Sequence, residues 1–217
     1  GGGTVVVWHD SKTGASGVMD GLACAPSQVP TRLESDMAGQ RIPRERALVG
    51  GWTVGVPGTV KTLARLHSKF GLKPWGGLFD AARELAYSGF SLPPYLVKTL
   101  REIGSMQDEP LALSVYGQGQ HQVKPPGTTA RNPDLAQTLQ WLAEQGPEVF
   151  YEDSPLTRIL LSQVHQDHLP GLLSLKDLQT YQVVDRAPLA TQIGQQVLLT
   201  APGNSAKAGA ISSVDFT

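Results

Sequence analysis

Apolar residues in this chain follow two rhythms: a continuous β-branched run at the amino end, and a three-to-four-residue repeat through the middle. Thr4-Val5-Val6-Val7-Trp8 is unbroken, the pattern of a strand buried on both faces. Asp10-Ser11-Lys12-Thr13-Gly14 is a turn, and Val18 and Met19 begin the return strand of a hairpin. From Val60 the helical repeat takes over, with Val60, Leu63, Leu66 and Phe70 in a first helix. Leu78, Ala82, Leu85 and Ala86 mark a second helix, and Leu96, Leu100 and Ile103 a third. Gly71, Gly89 and Gly104 stand where these helices end, and Pro93-Pro94 opens the third. Asn132 is an N-cap residue ahead of Pro133 and a stripe of Leu135, Leu139 and Leu142 that stops at Gly146. Ser154-Pro155 starts a helix with Leu156, Ile159, Leu160 and Val164 facing inward. Ser174 and Asp177 have the spacing of a capping box built with the shorter acid, leading into Leu178 and Tyr181.

Gln196 to Thr200 reads as a strand, so strand pieces at both ends enclose six helices, an α+β chain. Residues 25–43 and 105–130, rich in proline, glycine and polar residues, read as irregular, the second as a long, mobile surface excursion. Gly50 to Gly58 is glycine-dense yet apolar, which marks close backbone approach or positive φ rather than a solvated linker.

Composition narrows the function without naming it. The chain has 217 residues, 40% hydrophobic and 17% charged, enough apolar material to bury a core and too little charge for a disordered chain. Residues 1–217 read as a single partial domain, one large piece of a bigger fold, and the low charge fits a surface partly covered by a partner. A formal net charge of −1 with no basic stripe speaks against nucleic acid. The single cysteine, Cys24, rules out an internal disulfide. With no cationic neighbour in sequence, Cys24 is expected to be a buried, inert thiol. The opening Gly1-Gly2-Gly3 reads as a cut edge, with any signal or anchor lying upstream.

Few constellations carry chemistry by spacing alone. His165 and His168 would share a helix face, but no third ligand is near and Pro170 follows, so a solvated helix end outweighs a metal site. Gly55-Val56-Pro57-Gly58 precedes a helix but matches neither the P-loop nor the dinucleotide fingerprint, and packing glycines explain it. His9, Asp20, Glu34 and Asp36 lie near the amino end without a nucleophile-elbow spacing around them.

Four stretches, in order, resemble the γ-glutamyltransferase (glutathione hydrolase) family. Gly1-Gly2-Gly3 with the strand after it resembles the family's glycine-rich start, and Gly50-Gly51-Trp52-Thr53-Val54-Gly55-Val56-Pro57-Gly58 its "GVPG" segment. Phe70-Gly71-Leu72-Lys73-Pro74-Trp75, followed by Ala81-Ala82-Arg83-Glu84-Leu85-Ala86-Tyr87-Ser88-Gly89-Phe90, is similar to its "YGKLPW" and "A..LA..GF" pair. Asn132-Pro133-Asp134-Leu135-Ala136 through Phe150-Tyr151 to Leu175-Lys176-Asp177-Leu178 and Tyr181 resembles its "PDLA.TL…FY…EDL..Y" string.

The resemblance implies a helix-rich, large-subunit portion of an αββα N-terminal-nucleophile hydrolase fold. In such enzymes a small subunit carries a catalytic threonine whose own α-amino group is the base, and no cofactor takes part. That threonine attacks the γ-glutamyl amide of glutathione, and water or an amine then takes the glutamyl group. The resemblance also implies export to the cell surface, membrane-anchored or secreted.

Two departures qualify it. The family's aspartate–x–arginine–glutamate motif corresponds to Asp20-Gly21-Leu22-Ala23, with Leu22 where an arginine grips the substrate carboxylate. Such a contact is worth roughly 1.5–3 kcal/mol, on the order of ten- to a hundredfold in binding. Arg32 or another arginine reaching in is the alternative source. The second departure concerns the nucleophile: neither Thr200 nor Thr217 has its surroundings, and Gly203 to Gly209 matches the family poorly. No catalytic or substrate-binding residue is therefore assigned within the chain, and alone it is expected to be inactive. The rival expectation is a non-catalytic family member that acts as an interaction partner.

Overall fold

The computed structural model describes residues 3–29, 39–43, 50–103, 110–119, 122–166 and 169–202. The elements run β1 (Thr4–His9), β2 (Ser16–Gly21), α1 (Thr59–Phe70), α2 (Asp80–Ser88), β3 (Phe90–Ser91), α3 (Pro94–Glu102), α4 (Pro110–Tyr116), β4 (Thr129–Ala130), α5 (Pro133–Gln145), α6 (Pro155–Gln166), α7 (Leu175–Thr180), β5 (Val184–Arg186), β6 (Leu189–Ile193) and β7 (Gln196–Thr200). The chain divides into two compact units, Gly1–Leu72 with Phe150–Thr217, and Lys73–Val149.

In the first unit β1 and β2 form the expected antiparallel hairpin, Thr4 opposite Gly21 and His9 opposite Ser16. Its turn is closed by Asp10, whose carboxylate accepts from the Lys12 N–H at 2.9 Å and the Thr13 hydroxyl at 2.8 Å. β5 adds antiparallel to the other edge of β2, giving the order β1-β2-β5. The central strand is the buried one, with Val18 and Met19 each 1% exposed. β1 was expected to be buried on both faces; it is an edge strand, and Val7 is exposed. An unbroken apolar run does not distinguish a two-sided core from a one-sided edge.

Met19 joins Val56, Tyr151, Val164, Leu173, Leu178, Tyr181 and Val183 in the main core, so α1, α6 and α7 are held to the sheet by apolar burial. The glycine-dense segment lies within this packing. A Cβ on Gly51 would meet the Val164 carbonyl oxygen at 2.0 Å, so α6 and the Gly51–Thr53 turn touch backbone to backbone. β6 and β7 make a separate hairpin, turned at Gly194 with φ 58°.

The second unit has a smaller core of Leu92, Val97, Val115 and Ala130. The Asn132 cap is present, its side chain accepting from the Leu135 N–H at 2.9 Å. Residues 105–130 were expected to be an irregular excursion; within them lie α4 and β4, which pairs with β3, Phe90 opposite Ala130. The described residues therefore hold seven α-helices where the pattern gave six. The helical stripes locate their helices correctly but overstate burial: Leu63, Leu85, Leu135 and Ile159 are exposed.

Candidate functional site

The position where the resemblance expects an arginine lies just past β2. Asp20 is the last residue but one of that strand, paired with Val184 of β5, while Arg186 pairs with Val18 two residues back. Asp20 and Arg186 are therefore diagonal neighbours on one face of the sheet. Arg186 Nε donates to Asp20 Oδ2 at 2.8 Å, and Asp20 Oδ1 accepts from the Leu22 N–H at 3.2 Å. The Leu22 carbonyl accepts from the Tyr181 hydroxyl at 2.9 Å. Both backbone polar groups of Leu22 are thus anchored, one to the strand and one to the end of α7.

Around this corner opens a cleft of about 530 Å³, with Asp20, Leu22, Cys24, Asp177, Tyr181 and Arg186 among its lining residues. The "GVPG" segment forms part of its wall through Val56, whose N–H donates to the Cys24 carbonyl at 2.8 Å. Gly58 lets the wall close: a Cβ there would stand 2.1 Å from both the Gly21 carbonyl oxygen and the Tyr181 hydroxyl. Tyr151 fixes the same segment from below, donating to the Pro57 carbonyl at 2.9 Å and accepting from the Lys61 N–H at 3.1 Å.

Asp177 is the buried acid of the site, and its role is structural. Its Oδ1 accepts from the Ser27 N–H at 2.9 Å, and its Oδ2 from the Ser174 N–H at 2.9 Å and hydroxyl at 2.6 Å. The capping box expected from spacing is thereby extended to a second chain segment. Burial opposes the charge, but hydrogen bonds from Ser174 and Ser27 outweigh it and hold the carboxyl below its ordinary 3.8. A depressed folded-state pKa means stability that is present above the unfolded value and lost as pH falls through the folded one. Asp177→Asn, which exchanges an acceptor oxygen for a donor, is expected to cost about 1–3 kcal/mol at pH 7. In urea unfolding at stepped pH, the gap to the parent protein should narrow below a pH of about 4.

Cys24 was expected to be buried; it is exposed, lining the cleft where its backbone bridges to Val56. Partial burial, and to a lesser degree the negative charge of Asp177, push its thiol above 9.0, which disfavours the reactive thiolate. Burial and the charges around it, Asp20 among them, likewise raise Tyr181, which stays a neutral hydroxyl donor.

Of the other residues singled out from sequence, His9 pairs with Ser16 across the hairpin at 2.8 Å, away from the cleft lining. His165 Nε2 lies 2.7 Å from the Leu173 carbonyl and donates to it, a packing contact. His168, Arg32, Glu34, Asp36, Gly203 to Gly209 and Thr217 lie outside the described residues. Among the described residues no cluster of three or more His, Cys, Asp or Glu is placed to hold a metal, and no helix is long and apolar enough to cross a membrane. Thr200 is paired with Leu189 in the β6–β7 ladder. Arg186 was missed: three residues of strand between Tyr181 and Pro188 are too short for a period-two signal.

Comparison with known proteins bears on the family and the fold. The profile of the gamma-glutamyltranspeptidase family matches residues 1–214. The chain is 35% identical over 179 residues to glutathione hydrolase 2 of Arabidopsis thaliana, covering 81% of this chain and 30% of that protein. It is 30% identical over 202 residues to the glutathione hydrolase proenzyme of Pseudomonas aeruginosa, covering 93% of this chain and 34% of that one. The fold matches the crystal structure of Helicobacter pylori gamma-glutamyltranspeptidase with a TM-score of 0.85 at 24% identity, over 95% of this chain and 58% of that chain. Gamma-glutamyltranspeptidase from Pseudomonas nitroreducens, solved with L-DON, matches at 0.84 with 28% identity, over 98% of this chain and 60% of that chain. The chain spans about a third of the length of these curated relatives and less than two thirds of the solved chains. With an N-terminal-nucleophile hydrolase fold and a profile match running almost end to end, this large-subunit-like chain belongs to the gamma-glutamyltranspeptidase family.

Proposed function

We propose that residues 1–217 form the large-subunit portion of an enzyme that cleaves γ-glutamyl amides such as glutathione and passes the glutamyl group to water or an amine. The observation that carries this reading is the corner at Asp20-Gly21-Leu22, hydrogen-bonded at both ends and set in the wall of a cleft. In this reading the cleft holds the acyl group, and a small-subunit threonine supplies the attacking hydroxyl. The α-amino group of that threonine takes the hydroxyl proton, and backbone N–H donors stabilise the oxyanion. The two pieces form a heterodimer at the cell surface, membrane-anchored or secreted. Exposed Val7, Leu189 and Val197 on the strands are apolar surface that such a partner would cover.

The 217-residue chain alone is inactive in this account, because neither Thr200 nor Thr217 has the sequence surroundings of the nucleophile. The test is expression of the complete reading frame beside the 217-residue chain, each assayed with a chromogenic γ-glutamyl anilide. The expected result is turnover by the first, together with self-cleavage into two pieces, and none by the second. Turnover that purifies with the 217-residue chain contradicts the division of labour. A complete protein that stays in one piece and is inactive instead supports a non-catalytic interaction partner.

A further inference from the structure

The cleft contains a cation that neither the sequence pattern nor the family motif singles out. We propose that Arg186 holds the α-carboxylate of the acyl group, in place of the arginine that the family carries at the position of Leu22. This rests on the reading that the cleft takes a glutamyl group.

Three observations carry it. First, Arg186 lines the same cleft as Leu22 and approaches it from the neighbouring strand β5, on the sheet face that Asp20 shares. Second, its guanidinium is held at one point, Nε–H donating to Asp20 Oδ2 at 2.8 Å. An arginine has five N–H donors in a planar fork, so a bond made through Nε still leaves the chemistry of the two Nη groups, whose spacing matches a carboxylate. Third, the Arg186 side chain is 33% exposed while its Asp20 partner is 12% exposed, so the aspartate is sheltered while the arginine keeps surface open to a ligand.

Asp20 then has two tasks. Its Oδ2 orients the guanidinium, and its Oδ1 fixes the Leu22 backbone at 3.2 Å, which sets the cation beside the side-chain position that lost its charge. The aspartate offsets part of the guanidinium's charge, which lowers its attraction for an anion. It also removes the rotamer freedom that a lone arginine would lose on binding. Leucine at position 22 leaves the approach to the fork uncharged and apolar, so a carboxylate reaching Arg186 meets no competing cation from that position.

The test compares two ligands that differ only in the α-carboxylate, L-glutamate and 4-aminobutyrate, by calorimetry on the protein from the complete reading frame. The parent protein should bind L-glutamate at least about tenfold more tightly than 4-aminobutyrate, the scale of one charge-assisted contact. Arg186→Gln should bring that ratio close to one, and Arg186→Lys should keep part of it. Adding Leu22→Arg to Arg186→Gln should restore it. A merely structural arginine would weaken both ligands alike and leave the ratio unmoved.

A parent ratio near one, an undiminished ratio in Arg186→Gln, or binding of neither ligand overturns the proposal. If circular dichroism shows Arg186→Gln to be unfolded, the parent ratio and the Arg186→Lys ratio decide. Neither turnover nor self-cleavage enters this readout. A protein that shows the ratio yet stays in one piece refutes the catalytic reading and supports Arg186 as the carboxylate site.

Discussion

Tyr151→Ala is expected to remove about 3–5 kcal/mol of folding stability, the cost of emptying an aromatic site in a packed core. Tyr151 is 0% exposed, at the centre of the main cluster with Met19, Leu178 and Tyr181. Its ring stacks on that of Tyr181 with centroids 6.2 Å apart and planes 16° from parallel. Its hydroxyl is spoken for twice, by Pro57 and Lys61, so the side chain ties the first turn of α1 to the segment before it. Tyr151→Phe keeps the ring and loses only these bonds, leaving a carbonyl and an N–H unpaired at a cost of about 1–3 kcal/mol. Chemical denaturation of the three proteins should rank them in that order. Equal stability of the alanine and phenylalanine variants would show that the ring contributes little and that the packing described here is wrong.

Gly58→Ala is expected to cost about 3 kcal/mol, at the upper end of overpacking penalties, and to abolish ligand binding in the cleft. The backbone at Gly58 has φ −107° and ψ −15°, which any residue adopts, so the requirement is one of space alone. The new methyl would meet the Gly21 carbonyl oxygen and the Tyr181 hydroxyl, each 2.1 Å away. Gly21 has no room to retreat, since its own Cβ position lies 1.6 Å from Thr62 Oγ1 on α1. Relief therefore comes from pushing α1 and α7 away from the end of β2, which breaks the Tyr181–Leu22 bond. Calorimetry with L-glutamate checks the binding arm and thermal unfolding the stability arm. A variant that folds and binds normally would remove Gly58 from the wall of the site.

The helix framework was readable because its signals are local. Asn132 before Pro133 and the Ser174–Asp177 pair act over one turn of chain, and both caps are present as the spacing gives them. The glycine-dense segment was readable as close approach, since apolar neighbours exclude a solvated loop, although which carbonyls approach is a tertiary fact. What escaped depends on contacts distant in sequence. β5 has three residues and exists because β2 offers it an edge, and α4 lies in a stretch whose prolines and glycines mask it. Cys24 lines the cleft beside Val56, a partner far along the chain that its neighbours in sequence do not reveal. The candidate site was half legible for the same reason. Asp20 and Leu22 stood out against the family motif, whereas Arg186 reaches them only through strand pairing across 166 residues.

The central claim is that this fold serves acyl transfer by a threonine with a free amino group. Intact mass and amino-terminal sequencing of the protein made from the complete reading frame test it most directly. The account predicts two fragments, the smaller beginning with threonine. A single uncleaved chain, or a smaller fragment that begins with any other residue, contradicts it.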